Sequence, residues 1–192
     1  MGIVEMLWIF AINIMVLILL GPNASQAFEP KLAMTMMMRD EAVNIRANLA
    51  LWIGIVDYFV FLVDQRTKDD TREAIRSILE MGKVSDYKIV DYDFQAQNSK
   101  KNISGFGGAR TLSLEMTWDF FPQATHVWIA DPDWRAEVST IRKEDLDLTA
   151  DAFRFLIYDR NGMTTRRCDW LLRHRKGLAM RYHLHEVGIF LL

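Results

Sequence analysis

Two aspartates separated by one proline are the residues of this sequence best suited to hold a metal ion. Asp131-Pro132-Asp133 directly follows the apolar run His126–Ala130. A residue before proline is pushed towards extended geometry, and in an extended chain positions i and i+2 face the same side. Both carboxylates could then converge on Mg²⁺ or Mn²⁺, which prefer oxygen ligands, and such an ion would neutralise a diphosphate leaving group. The alternative is an ordinary polar turn of the Asp-Pro type.

Acidic residues also follow two other apolar runs. Leu32–Met38 and Tyr58–Val63 have the composition of buried strands, and they are followed by Asp40 and Glu41 and by Asp64. Ligands of parallel α/β sheets bind beyond the carboxyl ends of the strands. The three acidic strand ends together therefore predict a binding site, although any one of them alone is better explained by acids that cap helices or solubilise loops.

Strands and helices alternate along the chain, which predicts an α/β fold with a largely parallel sheet. Asp40 is expected to cap a helix that continues to Trp52, and Asp69 or Asp70 a helix that ends at Gly82. The remaining predicted elements are strands at Tyr87–Tyr92, His126–Ala130, Ala152–Tyr158, Arg167–Leu172 and Met180–His185, a helix at Ala109–Phe121, a loop at Gln95–Gly108 and a hairpin turn at Asn161-Gly162.

The composition is that of one ordinary globular domain. The chain has 192 residues, of which 51% are hydrophobic and 25% charged. Its net charge of -2 provides no basic surface, so nucleic acid is not expected as a partner. The single cysteine, Cys168, excludes a disulfide within the chain.

The N-terminus is predicted to direct the protein to a membrane or into the secretory pathway. Met6–Leu20 is apolar except for one asparagine, and its length lies between a signal-peptide core and a spanning helix. Residues 1–27 are therefore either a signal anchor or a signal peptide cleaved after Ala27; a buried core helix is the third reading. If the segment is uncleaved, residues 3–20 would contact the membrane, with the rest of the chain in the Golgi or endoplasmic reticulum lumen.

Taken in order, these motifs resemble the family 2-type glycosyltransferases, which have the GT-A fold. The resemblance covers roughly Leu32 to Glu186, and residues 31–192 are interpreted as the catalytic domain, which could be incomplete at its C-terminus. It implies a three-layer α/β/α sandwich with a mostly parallel central sheet, preceded by an N-terminal hydrophobic helix. The matching segments are Met36–Glu41, Val63-Asp64, Lys68–Thr71, Gly107–Arg110, Trp128–Asp133 and Tyr182–Glu186.

The resemblance implies a donor substrate, which is a sugar linked to UDP or GDP. Asp40 or Glu41 would lie near the ribose or base, and Asp64 would accept a hydrogen bond from a ring N–H of the base. This sequence departs from the family pattern after the second strand, where Asp64 is followed by Gln65-Arg66-Thr67 instead of a second acid. The identity of the base and of the sugar is therefore open.

The resemblance places the phosphate and metal contacts on the later motifs. Gly107 and Gly108 would offer backbone amides to an anion, and Arg110 would pair with phosphate. The metal and the diphosphate would be held by Asp131 and Asp133. His185 could add a third metal ligand, and Trp134, next to the acidic pair, could stack on the sugar or the acceptor.

The reaction that the resemblance implies is metal-dependent transfer of the sugar to an acceptor hydroxyl, with inversion. A base must take the hydroxyl proton, and Glu186 is the first candidate and Asp169 the second. A catalytically silent nucleotide- or glycan-binding module of the same fold is the alternative. A nucleotidyltransferase is a further alternative. It would need a glycine-rich loop directly after the first strand, and the segment Met38–Glu41 contains no glycine.

Overall fold

A computed structural model describes residues 29–94, 105–135, 142–143, 146–147, 149–158, 164–173, 178–181 and 187–190. Residues 1–28, with the predicted signal anchor or signal peptide, lie outside this part. Among the described residues no helix is both long enough and apolar enough to cross a membrane. The loop predicted at residues 95–104 and the hairpin turn at Asn161-Gly162 also lie outside it.

The fold is α/β, as predicted, and is built on a mixed six-stranded sheet with three helices in the described part. Its strands lie in the order β3-β2-β1-β4-β6-β5, and β7 and β8 form a separate antiparallel pair. The elements are β1 (Leu32–Met38), α1 (Ala42–Asn48), a 3-10 helix (Leu49–Trp52), β2 (Tyr58–Asp64), α2 (Thr71–Met81), β3 (Tyr87–Tyr92), α3 (Gly105–Phe120), β4 (His126–Ala130), β5 (Ala152–Tyr158), β6 (Thr164–Arg173), β7 (Leu178–Arg181) and β8 (Val187–Phe190).

The prediction of a largely parallel sheet is confirmed for the first four strands only. β3, β2, β1 and β4 are parallel neighbours, whereas β6 is antiparallel to both β4 and β5. Only residues 159–163 connect β5 to β6, and a parallel crossover needs a dozen residues or more. The short connection therefore forces β6 to run against the other five strands.

Helices cover both faces of the sheet. Met36 and Phe61 point to the face that α1 and α2 cover, while Leu62 and Ile129 point to the face that α3 covers. Every residue of β1 and β4 is buried. Strands buried on both faces have nearly continuous apolar sequences rather than alternating ones, which is why these runs could be predicted as strands.

Helix α3 begins earlier than the sequence predicts, because Gly105–Gly108 form its first turn instead of a loop. Glycine is a poor helix former, but α3 contacts the sheet and also β7, so packing overrides propensity. Its buried Thr111 and Thr117 hydroxyls donate to helix carbonyls one turn back, at 2.8 and 2.7 Å. The helix thus satisfies its own polar side chains.

Asp40 does not cap α1, which contradicts the prediction. It has a φ of 55°, a left-handed conformation that aspartate tolerates better than most residues, and the N-cap residue is Glu41, whose side chain makes no capping bond. The Asp40 carboxylate instead accepts a hydrogen bond from the Lys68 backbone N–H at 2.6 Å. Asp40 therefore ties the loop after β1 to the loop after β2.

One carboxylate, that of Asp69, serves the first residue of two helices. Its Oδ2 accepts the Ala42 N–H of α1 at 2.9 Å and its Oδ1 accepts the Thr71 N–H of α2 at 3.0 Å. The neighbouring Asp70 is the formal N-cap residue of α2 but makes no side-chain capping bond; it pairs with Arg46. Asp69 thus fixes the two helix starts against each other beside the carboxyl edge of the sheet.

Replacing Asp69 by alanine should destabilise the fold by about 1–2 kcal/mol, because two helix-terminal N–H groups lose their acceptor. Urea unfolding of the full-length chain measures the change. Asp70→Ala is the matched control, and it should cost less than about 0.5 kcal/mol because its ion pair is exposed. Equal losses in the two variants would contradict the double role of Asp69.

Candidate functional site

The carboxyl ends of β2, β1 and β4 lie side by side at one edge of the sheet. Met38 of β1 pairs with Val63 of β2, and Met36 pairs with Ala130 of β4. The chain passes from β1 outwards to β2 and β3, then returns through α3 to β4 on the other side of β1. The order of strands reverses between β1 and β4, and in open α/β sheets such a switch point forms the ligand-binding crevice.

An ion pair joins two of the predicted site residues at this crevice. Arg110 of α3 donates through Nη2 to Asp131 Oδ1 at 2.7 Å, and the two side chains are 8% and 28% exposed. A bond between a guanidinium and a carboxylate at this length is charge-assisted and stronger than a neutral one. The structure therefore brings Arg110 and Asp131 together, as expected if both act on one ligand.

The residues from Asp131 to Trp134 form a tight turn at the end of β4. The Trp134 backbone N–H donates to the Asp131 carbonyl at 3.0 Å, and Asn48 at the end of α1 donates to the Pro132 carbonyl at 3.1 Å. Pro132 is buried and Asp133 is exposed. Trp134 packs in part against the core beside α1 and α2, so its predicted contact with sugar or acceptor stays a prediction.

Asp131 and Asp133 carry the oxygen ligands that a metal ion arriving with phosphate would need. Among the described side chains no group of three His, Cys, Asp or Glu residues is arranged to hold a metal. Mg²⁺ commonly takes only one or two carboxylates and completes its shell with substrate phosphates and water. The two carboxylates lie on a tight turn closed by the Trp134 N–H and the Asp131 carbonyl, so the extended geometry predicted to make them converge is wrong. Their joint hold on a metal ion stays a prediction. His185, the predicted third ligand, lies outside the described residues.

Asp64 is held by Arg66 at the end of β2. Its Oδ1 accepts from the Arg66 backbone N–H and Nε at 2.8 and 2.9 Å, and its Oδ2 accepts from Nη2 at 2.7 Å. These bonds lower the pKa of the Asp64 carboxyl against the opposing effect of burial, and the charge of Arg39 lowers it further. The contacts are those of a turn cap; the contact with a nucleobase stays a prediction.

The remaining residues predicted near the nucleotide lie in the loop after β1 and in the first turn of α3. Asp40 braces the loop after β1, and Glu41 Oε2 accepts from Asn44 Nδ2 at 2.6 Å. Gly107 and Gly108 are buried in the first turn of α3. Their roles towards ribose and phosphate are compatible with these positions and stay predictions.

Of the two residues predicted to act as the general base, only Asp169 lies in a described strand. Asp169 lies in β6, whose Leu171 pairs with Trp128 as the last printed partner in β4. The register of β6 to β5 shifts between Leu171 and Cys168, so a position of Asp169 at the crevice stays a prediction. Its side chain is not among those described. Glu186 lies outside the described residues, and the strand predicted at Met180–His185 ends at Arg181 in the described part.

Three polar residues of this edge were not predicted. Asn48 fixes the turn after β4, Arg66 covers Asp64, and Asp93, which follows β3, lies 3.4 Å from Arg66 Nη2. The rule that selected acids after the other strands would also have selected Asp93. Asn48 and Arg66 carry no such signal, because an asparagine in a helix and an arginine in a loop are ordinary surface residues.

Comparison with known proteins adds no relative to this geometry. A scan against protein-family models matches no family, and a search of the curated proteins finds none with significant similarity to the chain. The function is therefore argued from the site itself.

The Arg110–Asp131 pair should show a coupling energy of about 1–2 kcal/mol in a double-mutant cycle of Arg110→Ala and Asp131→Ala, because one partner is buried. The exposed pair Arg76–Glu73 of α2 is the control and should show about 0.3 kcal/mol. Denaturant unfolding of the single and double variants supplies both numbers. Equal coupling in the two pairs would mean that the Arg110–Asp131 contact is no stronger than a surface ion pair.

The Asp64–Arg66 contact should make stability depend on pH in acid. Because the folded-state pKa of Asp64 is lowered, its contribution is complete above the unfolded value of about 3.9 and is lost as the pH falls through the folded value. Asp64→Asn should therefore cost about 1.5–3 kcal/mol at pH 7 and give a flatter stability curve below pH 5 in urea unfolding. Asp86→Asn, at an exposed acid, should leave the wild-type slope unchanged.

Proposed function

We propose that the chain is a metal-dependent glycosyltransferase with a GT-A-like fold, which moves a sugar from a nucleotide sugar to an acceptor hydroxyl. The observation that carries this proposal is the Arg110–Asp131 ion pair beside Asp133 at the switch point of the sheet. A fold supports many functions, so the strand order alone would not be enough. Carboxylates and a guanidinium at the ligand-binding edge are what a diphosphate-linked substrate requires.

The charges at the crevice match a diphosphate and a divalent ion. Asp131 and Asp133 carry two negative charges and Arg110 one positive charge, so the group has a net charge of about -1 at neutral pH. When bound, Mg²⁺ or Mn²⁺ would neutralise charge that develops on the leaving diphosphate. Arg110 would hold Asp131 in place and add its own charge beside the phosphates.

The transfer itself forms a bond from the acceptor oxygen to the anomeric carbon and breaks the bond from that carbon to the diphosphate. The hydroxyl proton passes to a carboxylate, for which Glu186 and Asp169 are the candidates. Asp169 lies in β6, the strand that pairs with β4, and this supports its candidacy. Inversion at the anomeric carbon is part of this proposal, as is location at a membrane of the secretory pathway through residues 3–20.

A catalytically silent module that binds a nucleotide or glycan is the second candidate. It is favoured by the bonds from Arg66 to both oxygens of Asp64 and by the lack of a three-residue metal group among the described side chains. Such a module would bind a nucleoside diphosphate without turnover. Incubation with a panel of UDP- and GDP-sugars separates the two candidates, because only a transferase releases the free nucleotide.

Mn²⁺ together with UDP or GDP should raise the melting temperature of the full-length chain. Mn²⁺ alone should not raise it, and a nucleotide alone should not raise it. At a ligand concentration of 100 Kd the gain is about 2.7 kcal/mol, or roughly 5–10 °C for a domain of this size. Asp133→Asn should abolish the joint shift because one carboxylate ligand becomes an amide.

The control for this experiment is Asp86→Asn, which removes an exposed acid. Asp86 directly precedes β3 and so lies at the edge of the sheet opposite to the candidate site. This variant should keep the joint shift. A shift that appears without metal, or that survives Asp133→Asn, would contradict the assignment of the metal to this turn.

A further inference from the structure

The more exposed side chain at the end of β2 is that of Arg66 rather than that of Asp64. The Arg66 side chain is 34% exposed and that of Asp64 only 2%. A nucleobase that approached this strand end would meet Arg66 first. The carboxylate already accepts three hydrogen bonds from that one residue, so it has little capacity left for a ring N–H.

Arg66 is held in one orientation but keeps donors for another molecule. A guanidinium has five N–H donors in a planar fork. The single N–H of Nε and one N–H of Nη2 donate to Asp64. Asp93 lies 3.4 Å from Nη2. No hydrogen bond joins Nη1 to another of the described residues. A donor group fixed in advance costs little conformational entropy when it binds a ligand.

The distance between the ends of β2 and β4 suits a nucleoside diphosphate. β1 lies between these strands, so their ends are two inter-strand spacings apart, about 10 Å. A diphosphate at Asp131 and Asp133 would place its nucleoside across the end of β1 and its base towards Arg66.

We propose that Arg66 contacts the nucleobase of the donor and that the site selects guanosine over uridine diphosphate. This inference rests on the proposed function. Guanine presents two adjacent acceptors, O6 and N7, which a guanidinium binds with two hydrogen bonds. Uracil has no such pair, because its N3–H separates its two carbonyl groups. Asp64 acts as a positioning residue, since it fixes the plane of the guanidinium.

The test is the ratio of dissociation constants for GDP and UDP, measured by titration calorimetry in Mn²⁺ on the full-length chain. The wild type should bind GDP about tenfold more tightly, within the range that one bidentate base contact provides. In the double variant Asp64→Asn/Arg66→Gln the ratio should fall to about one. The double variant is chosen because Arg66→Gln alone would leave a buried carboxylate without its cation.

Two further variants make the result specific. Arg66→Lys keeps the charge but not the planar fork, so its ratio should also fall, even where the double variant binds weakly. Arg76→Gln, at an exposed arginine of α2, should keep the wild-type ratio. Damage to the fold would lower affinity for both nucleotides alike and leave the ratio unchanged, so the ratio reports contact with the base.

The outcomes separate this inference from the proposed function. If the wild type binds both nucleotides with equal affinity, or if the variants at Arg66 keep the preference for GDP, the role of Arg66 is overturned while the metal-dependent nucleotide site stands. If the wild type binds neither nucleotide in Mn²⁺, both proposals fail. A preference for GDP that is lost in Arg66→Lys and kept in Arg76→Gln supports the inference.

Discussion

Burial of the central strands on both faces is the constraint on which the rest of this structure depends. β1 and β4 are buried along their whole length, so helices must cover both faces, and these strands cannot present polar chemistry from their middles. Charged groups are therefore expected where the strands end, and the order of strands switches between β1 and β4, which is where open α/β sheets bind their ligands. The position of the candidate site therefore follows from how the core is made.

Four of the acids at that edge each have a different partner, which reduces the repulsion between their carboxylates. Asp64 is neutralised by Arg66 and Asp131 by Arg110, while Asp40 and Asp69 accept backbone N–H groups. As a result the edge presents guanidinium groups as well as carboxylates. A phosphorylated ligand with an acceptor-rich base suits such a surface better than it would suit a purely acidic one.

Local pattern was enough to predict the strands but not the contacts between distant segments. β1, β3, β4 and β5 have the predicted bounds and β2 extends one residue further, because apolar runs are local signals. The start of α3 was predicted wrongly because the helix packs against the sheet and against β7, and the local sequence does not show these contacts. The predicted cap residue of α1 was wrong because the Ala42 N–H donates to Asp69, which comes from a loop far along the chain. Arg66 was missed because an arginine in a loop is an ordinary surface residue, and the sequence does not show that it donates to both oxygens of Asp64.

The Arg110–Asp131 pair also explains why a metal and a diphosphate would bind together. A divalent ion alone would compete with Arg110 for Asp131 and would weaken a charge-assisted bond to a guanidinium that is only 8% exposed, which is costly. An ion that carries a diphosphate offers that guanidinium phosphate oxygens in exchange. The carboxylate can then turn towards the ion while the buried cation keeps an anionic partner. Joint binding would then follow from the ion pair itself, without a preformed metal cage.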